Sequence, residues 1–119
     1  MRPLFHPALS DITVEGILHA LSDPVRFRIF VDLAKDDSTK TCSAYLEVSN
    51  QPVPKSTLSQ HFKVLREAGL VRSERRGVEM HNLSRCAEIA TRFPGLLPAI
   101  IEAHKTQNEQ KSRGKKRTA

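Results

Sequence analysis

The fold of this chain is decided by residues 54–71, which read PKSTLSQHFKVLREAGLV. Within this stretch Leu58, Phe62 and Leu65 recur at spacings of four and three, which is the period of an α-helix with one buried face. The pattern therefore predicts a helix over 55–68 that packs on the core along this stripe.

The opposite face of the predicted helix carries polar side chains that suit DNA. At 100° per residue this face collects Ser56, Gln60, Lys63 and Glu67, with Ser59 beside them. A glutamine amide can bond adenine through two atoms, serine hydroxyls can bond bases or phosphates, and a lysine suits the backbone. His61 lies at the flank, where a DNA contact and a place at the edge of the core are both open. The candidate DNA contacts of this helix are Lys55, Ser56, Thr57, Ser59, Gln60, His61 and Lys63.

A basic β-hairpin is predicted directly after this helix. Gly69 can end the helix with a positive φ, and the apolar period then changes to two in 70–76 and 78–83, on either side of Gly77. Three cations crowd the first strand and the tip, where they could grip the DNA backbone or the minor groove. These candidate contacts are Arg72, Arg75 and Arg76.

The rest of the chain is predicted to be mainly helical. A short first helix precedes Asp23, which with Pro24 marks the start of a core helix. Another short helix is expected from Thr41, followed by a proline-containing turn over 49–54, and helices flank a break at 93–95 at the end of the chain. The predicted fold class is mainly α with a small β-hairpin, in the order α-α-α-α-β-β-α. This is a winged helix-turn-helix whose modest core is expected to be completed by dimerisation.

Two parts of the sequence resemble a known family. Residues 54–71 closely resemble the reading-helix signature of ArsR-type winged-helix repressors, and residues 20–26 (ALSDPVR) resemble the opening of that family's second helix. The resemblance covers about residues 12–104. It implies a homodimer, paired through its first and last helices, that sits on a pseudo-palindromic operator and leaves it when an inducer arrives.

The sequence also departs from the family in two places. The turn before the reading helix is a few residues longer than the family's usual turn. The arsenic and cadmium sensors of the family carry a paired-cysteine motif in the preceding helix, whereas residues 41–44 read TCSA with one thiol. A single thiol is a poor site for a soft metal, and we therefore predict no metal site there.

Positive charge is confined to two parts of the chain, although the total is +6 over 119 residues. The net charge is +4 over 54–85 and +5 over 111–119, whereas residues 1–53 are net negative. Local charge therefore points to DNA more directly than the total does. With the composition, it predicts a flexible arm at 1–10, a DNA-binding and dimerisation domain at 11–104, and a basic disordered tail at 105–119.

Several other functions have less support in the sequence. No nucleophile, base and orienting group recur together and no glycine-rich phosphate loop is present, so neither an enzyme nor a cofactor is predicted. A zinc-type site on the last helix would have only Glu102 and His104, with His19 as a neighbour across a dimer. A thiol-based redox or persulfide-sensing repressor that uses Cys42 and Cys86 stays open, as does a winged-helix module that contacts proteins.

The expected partners are double-stranded operator DNA and a second copy of the chain, and the inducer is unknown. No apolar run of about 18 residues is present, and the N-terminus lacks the features of a secretion signal. A cytoplasmic protein without membrane contact is therefore expected.

Overall fold

The computed structural model describes the backbone of residues 4–35 and 38–117 and the side chains of 4–35 and 38–111. Its α-helices are α1 (Val14–Ala20), α2 (Pro24–Ala34), α3 (Lys55–Glu67), α4 (Cys86–Arg92) and α5 (Leu96–Arg117). Its strands are β1 (Lys40–Thr41), β2 (Glu47–Val48), β3 (Gln51–Pro52), β4 (Val71–Arg76) and β5 (Glu79–Ser84). Two short 3-10 helices are formed by Leu9–Asp11 and Cys42–Tyr45. The predicted winged helix-turn-helix is confirmed, with a small antiparallel sheet beside the helices.

The start of α2 shows how the sequence fixes a local structure. The Asp23 side chain accepts a hydrogen bond from the Arg26 backbone N–H at 2.9 Å, and Pro24 occupies the first helical position, as predicted. The helix then buries Ile29, Phe30 and Leu33 in the core. The side chains of α3 pack against this face, so α2 supports the helix that carries most of the candidate site.

Helix α3 and the hairpin after it follow the prediction closely. The helix ends where Gly69 adopts a φ of +85°, a conformation that other residues rarely take. Strands β4 and β5 pair antiparallel from Val71–Ser84 to Arg76–Glu79, with Gly77 in the turn. The sheet has a third strand that was not predicted, because β1 pairs with β5 and gives the order β1-β5-β4. Strand β4 is therefore an edge of the sheet.

The segment between α2 and α3 differs from the prediction. The helix expected from Thr41 is a single 3-10 turn, because Thr41 itself is extended and pairs with His81 of β5. The expected turn is a tight hairpin of β2 and β3, with Ser49 and Asn50 at φ values of 53° and 63°. Positive φ at both central residues is the geometry of a type I′ turn. The hairpin therefore includes the expected turn and also the end of the short helix expected before it.

The structure describes the two ends of the chain from residue 4 and up to Arg117. Residues 4–11 run along the wing, which is the hairpin of β4 and β5, and along the start of α4, and Pro7 is buried there. Helix α5 continues past residue 104 to Arg117, and its His104 ring packs on Phe27 with ring centres 4.2 Å apart. Residues 1–3, 118 and 119 lie outside the described part of the chain.

Candidate nucleic-acid interface

The outer face of α3 is open to solvent along its whole length. Ser56, Ser59, Gln60 and Lys63 are all exposed, whereas Leu58, Phe62 and Leu65 on the inner face are buried. Within the described residues, no intramolecular hydrogen bond engages the side chains of Ser56, Ser59 and Gln60, and Lys63 lies 4.0 Å from Glu67. The side chains best suited to base contacts are therefore available to a partner.

The first turn of α3 has free backbone donors. Pro54 stands at the N-cap position and supplies no side-chain cap, so the N–H groups of the first turn keep no side-chain partner there. Lys55 and Thr57 are exposed beside them. An uncapped helix N-terminus with a neighbouring cation suits a phosphate group.

His61 faces the core side of the helix. Its side chain is buried, and its Nδ1 atom lies 3.4 Å from the Arg26 guanidinium and its Nε2 atom 3.8 Å from the Asp23 carboxylate. Burial lowers the pKa of His61, Asp23 raises it and Arg26 lowers it further. Because arginine can only donate, Nδ1 accepts, and His61 connects α3 to the start of α2. The structure thus favours the core-edge interpretation over a DNA contact.

The three wing arginines do not share one face. Side chains alternate along a strand, and Val71 and Ser73 are buried, so Arg75 lies on their face, whereas Arg72 and Arg76 lie on the opposite one. Arg75 lines a cleft together with Ser59 of α3. Of the three, Arg75 is thus the one that lies directly beside the outer face of α3, the candidate reading face.

Ion pairs separate the wing arginines further. Arg72 lies 3.3 Å from Glu88 at the start of α4, and Arg76 lies 3.4 Å from Glu74 on the same strand. Arg75 has no ion-pair partner among the described side chains. It is the cation that can bind a phosphate without first giving up an internal contact.

The cleft between α3 and the wing contains a residue that sequence reasoning missed. It has a volume of about 400 Å³, and Phe62 and Arg66 form part of its wall. The Arg66 guanidinium donates to the Ser73 hydroxyl at 3.3 Å and so connects the reading helix to the wing. Its position four residues after Phe62 is compatible with this role, but the sequence does not indicate the partner.

The base of the wing is held by a buried polar network around Asn82. The Ser73 hydroxyl donates to the Asn82 side-chain oxygen at 2.7 Å, and the Asn82 amide donates to the Lys40 carbonyl at 3.1 Å. Asn82 is fully buried, and its amide also reaches the Met80 carbonyl and the Cys42 sulfur. The network connects all three strands of the sheet.

The N-terminal segment holds the other side of the wing. The Ser73 backbone N–H donates to Nε2 of His6 at 3.0 Å, and the Arg85 guanidinium donates to the Pro7 carbonyl at 2.9 Å. Arg85 is buried and also binds Glu88 at 3.0 Å. The net charge of +4 predicted for 54–85 therefore overstates the charge offered to DNA, because Arg85 is internal and Arg66 half-buried.

The described residues give no support for a metal site or a membrane span. They contain no group of three or more His, Cys, Asp or Glu side chains that could hold a metal ion. No described helix combines the length and the apolar character needed to cross a bilayer.

The two cysteines occupy different environments. Cys42 is half-buried, with its sulfur 3.5 Å from the Asn82 amide nitrogen, and Cys86 is the first residue of α4. Burial raises the pKa of the Cys86 thiol above its ordinary value, which lowers the fraction present as thiolate.

Comparison with known proteins agrees with this architecture. A helix-turn-helix domain family matches residues 21–74. An ArsR-like transcriptional regulator from Rhodococcus sp. RHA1 superimposes with a TM-score of 0.52 at 23% identity, over 88% of this chain and 91% of that one. The protein Rv0081 of M. tuberculosis gives a TM-score of 0.58 at 26% identity, over 82% and 89% of the two chains. No curated protein sequence matches significantly. These findings show a helix-turn-helix domain over residues 21–74 and support the winged helix-turn-helix fold of the whole chain.

Proposed function

We propose that this chain is a sequence-specific repressor that binds operator DNA as a homodimer and is released by an inducer. The observation that carries the proposal is the outer face of α3, where Ser56, Ser59 and Gln60 are exposed without internal partners beside Arg75 of the wing. A solvated helix alone would also show such residues. Their position next to an unpaired wing cation favours DNA.

In this proposal α3 contacts base edges and a phosphate, and the wing contacts the DNA backbone. Gln60, near the middle of α3, reads base edges in the major groove, which is about 12 Å wide and admits a helix. Lys55 and the free N–H groups of the first turn bind a phosphate. Arg75 binds the backbone beside the groove and adds affinity without sequence preference.

Apolar surface around α5 supports the homodimer. Grooves of about 600 Å³ and about 590 Å³ lie along this helix, the first between it and α2, where Val31, Ala34 and Ile101 form its apolar wall. Leu18 on α1 is half exposed. A second copy covering α1 and α5 would bury this surface and place two reading helices on a two-fold operator.

Selection from a random pool of DNA duplexes tests sequence-specific binding. We expect the protein to enrich one two-fold symmetric site, and Gln60→Ala to reduce the preference for that site over random DNA by about tenfold. Gln110→Ala is the matched control, because Gln110 is exposed on α5, lines neither of the grooves along that helix and lies outside the proposed DNA interface. Equal affinity for selected and random duplexes at every salt concentration would refute the proposal.

Light scattering tests the homodimer separately. We expect a dimer for the wild type and a larger monomer fraction for Ile101→Glu, because a carboxylate would be buried in the apolar interface. Glu102→Gln, the neighbouring exposed position, should remain dimeric. A wild-type monomer at the concentrations where it binds the operator would contradict this part.

Oxidation of a cysteine thiol is the second candidate for the signal that releases the DNA. The environment of Cys86 argues against it. The raised pKa of Cys86 slows its reaction with oxidants near neutral pH. If Cys42 and Cys86 do sense oxidants, the double Ser variant should stay on the operator under peroxide or polysulfide. Release identical to that of the wild type would exclude this mechanism.

A further inference from the structure

The wing has one uncovered edge, and the N-terminal segment closes it at a single residue. Strand β4 pairs with β5 on one side only, so the outward N–H of Ser73 has no strand partner. Nε2 of His6 accepts from this N–H at 3.0 Å. A backbone N–H can only donate, so Nε2 must be unprotonated and the imidazole neutral.

Ser73 is also the residue through which the wing is attached to the reading helix. Its hydroxyl accepts from Arg66 of α3 and donates to the buried Asn82 of β5. Arg75 follows two residues later on the same face of β4. A shift of β4 at Ser73 therefore moves Arg75 relative to the exposed face of α3.

We propose that His6 is a positioning residue for the wing: its neutral imidazole fastens the outer edge of β4 at Ser73, and its protonation loosens the wing and weakens DNA binding. The effect on DNA binding rests on the proposed function. The contact between His6 and Ser73 does not depend on it.

Charges around His6 oppose its protonation. Burial lowers the pKa of His6 below its ordinary value, and Arg72 of β4, Arg66 of α3 and Arg85 before α4 lower it further. A hydrogen bond between the ring and the Leu4 backbone raises it. Two of these arginines, Arg72 and Arg85, are themselves paired with Glu88.

The direction of the pH effect follows from these charges. A histidine whose pKa is lowered by folding contributes stability above its ordinary pKa of about 6.5. The contribution is lost as the pH falls through the lowered value. The hydrogen bond from the Ser73 N–H to His6 is thus present at neutral pH and is lost on acidification.

Two substitutions separate the acceptor from the titrating ring. In His6→Gln the side-chain oxygen replaces Nε2 as acceptor but does not titrate, whereas His6→Ala removes the acceptor. Hydrogen exchange of the Ser73 amide in the protein without DNA reads the contact directly. We expect protection in the wild type and His6→Gln, and at least about fivefold faster exchange in His6→Ala. An unprotected Ser73 amide in the wild type would overturn the contact itself.

Operator affinity then tests the consequence for DNA. Near pH 7.5 we expect His6→Ala to bind the selected operator about fivefold more weakly than the wild type, and His6→Gln to bind nearly as the wild type does. Between about pH 7.5 and about pH 5 the wild type should lose affinity relative to His6→Gln, because only its acceptor is lost on protonation.

The outcomes distinguish the two proposals. If no duplex is selected but Ser73 exchanges as expected, the DNA function fails while the contact stands. If DNA is selected and His6→Ala has the affinity and pH profile of the wild type, the positioning role is refuted. The role is equally refuted if His6→Gln binds as weakly as His6→Ala near pH 7.5.

Discussion

The outer face of α3 and the wing differ in whether their polar side chains already have internal partners. On α3 the side chains of Ser59 and Gln60 are exposed and have no internal partner among the described residues. On the wing Arg72 and Arg76 are already paired with glutamates, and only Arg75 is unpaired. The polar side chains of α3 could therefore contact a partner without losing an internal contact, whereas Arg72 and Arg76 would first have to break an ion pair.

This difference teaches how the two elements contribute to binding. A side chain without partners loses only its own freedom and its hydration when it binds DNA, and its substitution leaves the folded protein almost unchanged. A paired arginine also has an ion pair to lose, so its net contribution is smaller than its charge suggests. Base preference is therefore expected from α3, and a modest backbone affinity from the wing.

The inner face of α3 is where the largest effect is expected. Phe62→Ala should lower the free energy of unfolding by about 3–5 kcal/mol, because Phe62 is almost fully buried against Tyr45. Ser59→Ala, on the outer face of the same helix, should change it by less than about 0.5 kcal/mol. Urea unfolding followed by circular dichroism measures both. Similar values for the two variants would mean that the two faces are not distinct.

The base of the wing should respond next. Asn82→Ala should lower the free energy of unfolding by about 2–3 kcal/mol, because the Ser73 hydroxyl and the Lys40 carbonyl lose a buried partner. Asn108→Ala on α5 is a control, since the side chain of Asn108 makes one hydrogen bond within the described part of the chain, a 3.5 Å contact with His104. If Asn82→Ala cost no more than this control, the wing would not depend on its polar base.

The two kinds of wing arginine can be compared by salt titration. Arg75→Ala should weaken binding to all duplexes by about tenfold and lower the dependence of affinity on salt by about one ion. Arg72→Ala should have a smaller effect, because its guanidinium is already paired with Glu88. Equal losses in the two variants would show that the ion pair does not restrain Arg72.

Release of Arg72 should give the smallest effect, with the opposite sign. Glu88→Gln should strengthen binding to random DNA about twofold, since it removes a negative charge and frees Arg72.

Arg85 holds the pKa of Glu88 below its ordinary 4.5, with Arg72 adding to the effect. The contribution of Glu88 to folding is thus present above pH 4.5 and lost as the pH falls below it. If Glu88→Gln unfolded in acid over the same pH range as the wild type, this prediction would be contradicted.

Much of the fold could be predicted because its signals are local. The period of Leu58, Phe62 and Leu65 defines both faces of α3, and the pair Asp23 and Pro24 defines the start of α2. These signals depend on neighbours within one or two helical turns. The reading face followed from the same geometry, because the residues opposite a buried stripe are exposed.

The remainder depended on contacts between residues far apart in the chain. His61 lies at the flank of α3, and only the positions of Asp23 and Arg26 show that it belongs to the core. Similarly, alternation places Arg72 on one face of β4, but its pairing with Glu88 requires the fold. The strand at Thr41 is too short to have a period and forms only because β5 lies beside it.

The bond between His6 and Ser73 also has a consequence for self-association. An exposed edge strand offers N–H and C=O groups on which a strand of another molecule can add, and this is a common route to aggregation. On β4 the outward N–H of Ser73, midway along the strand, is already occupied by a side chain that continues no strand. The N-terminal segment therefore also protects the wing from pairing with the wing of a neighbouring molecule.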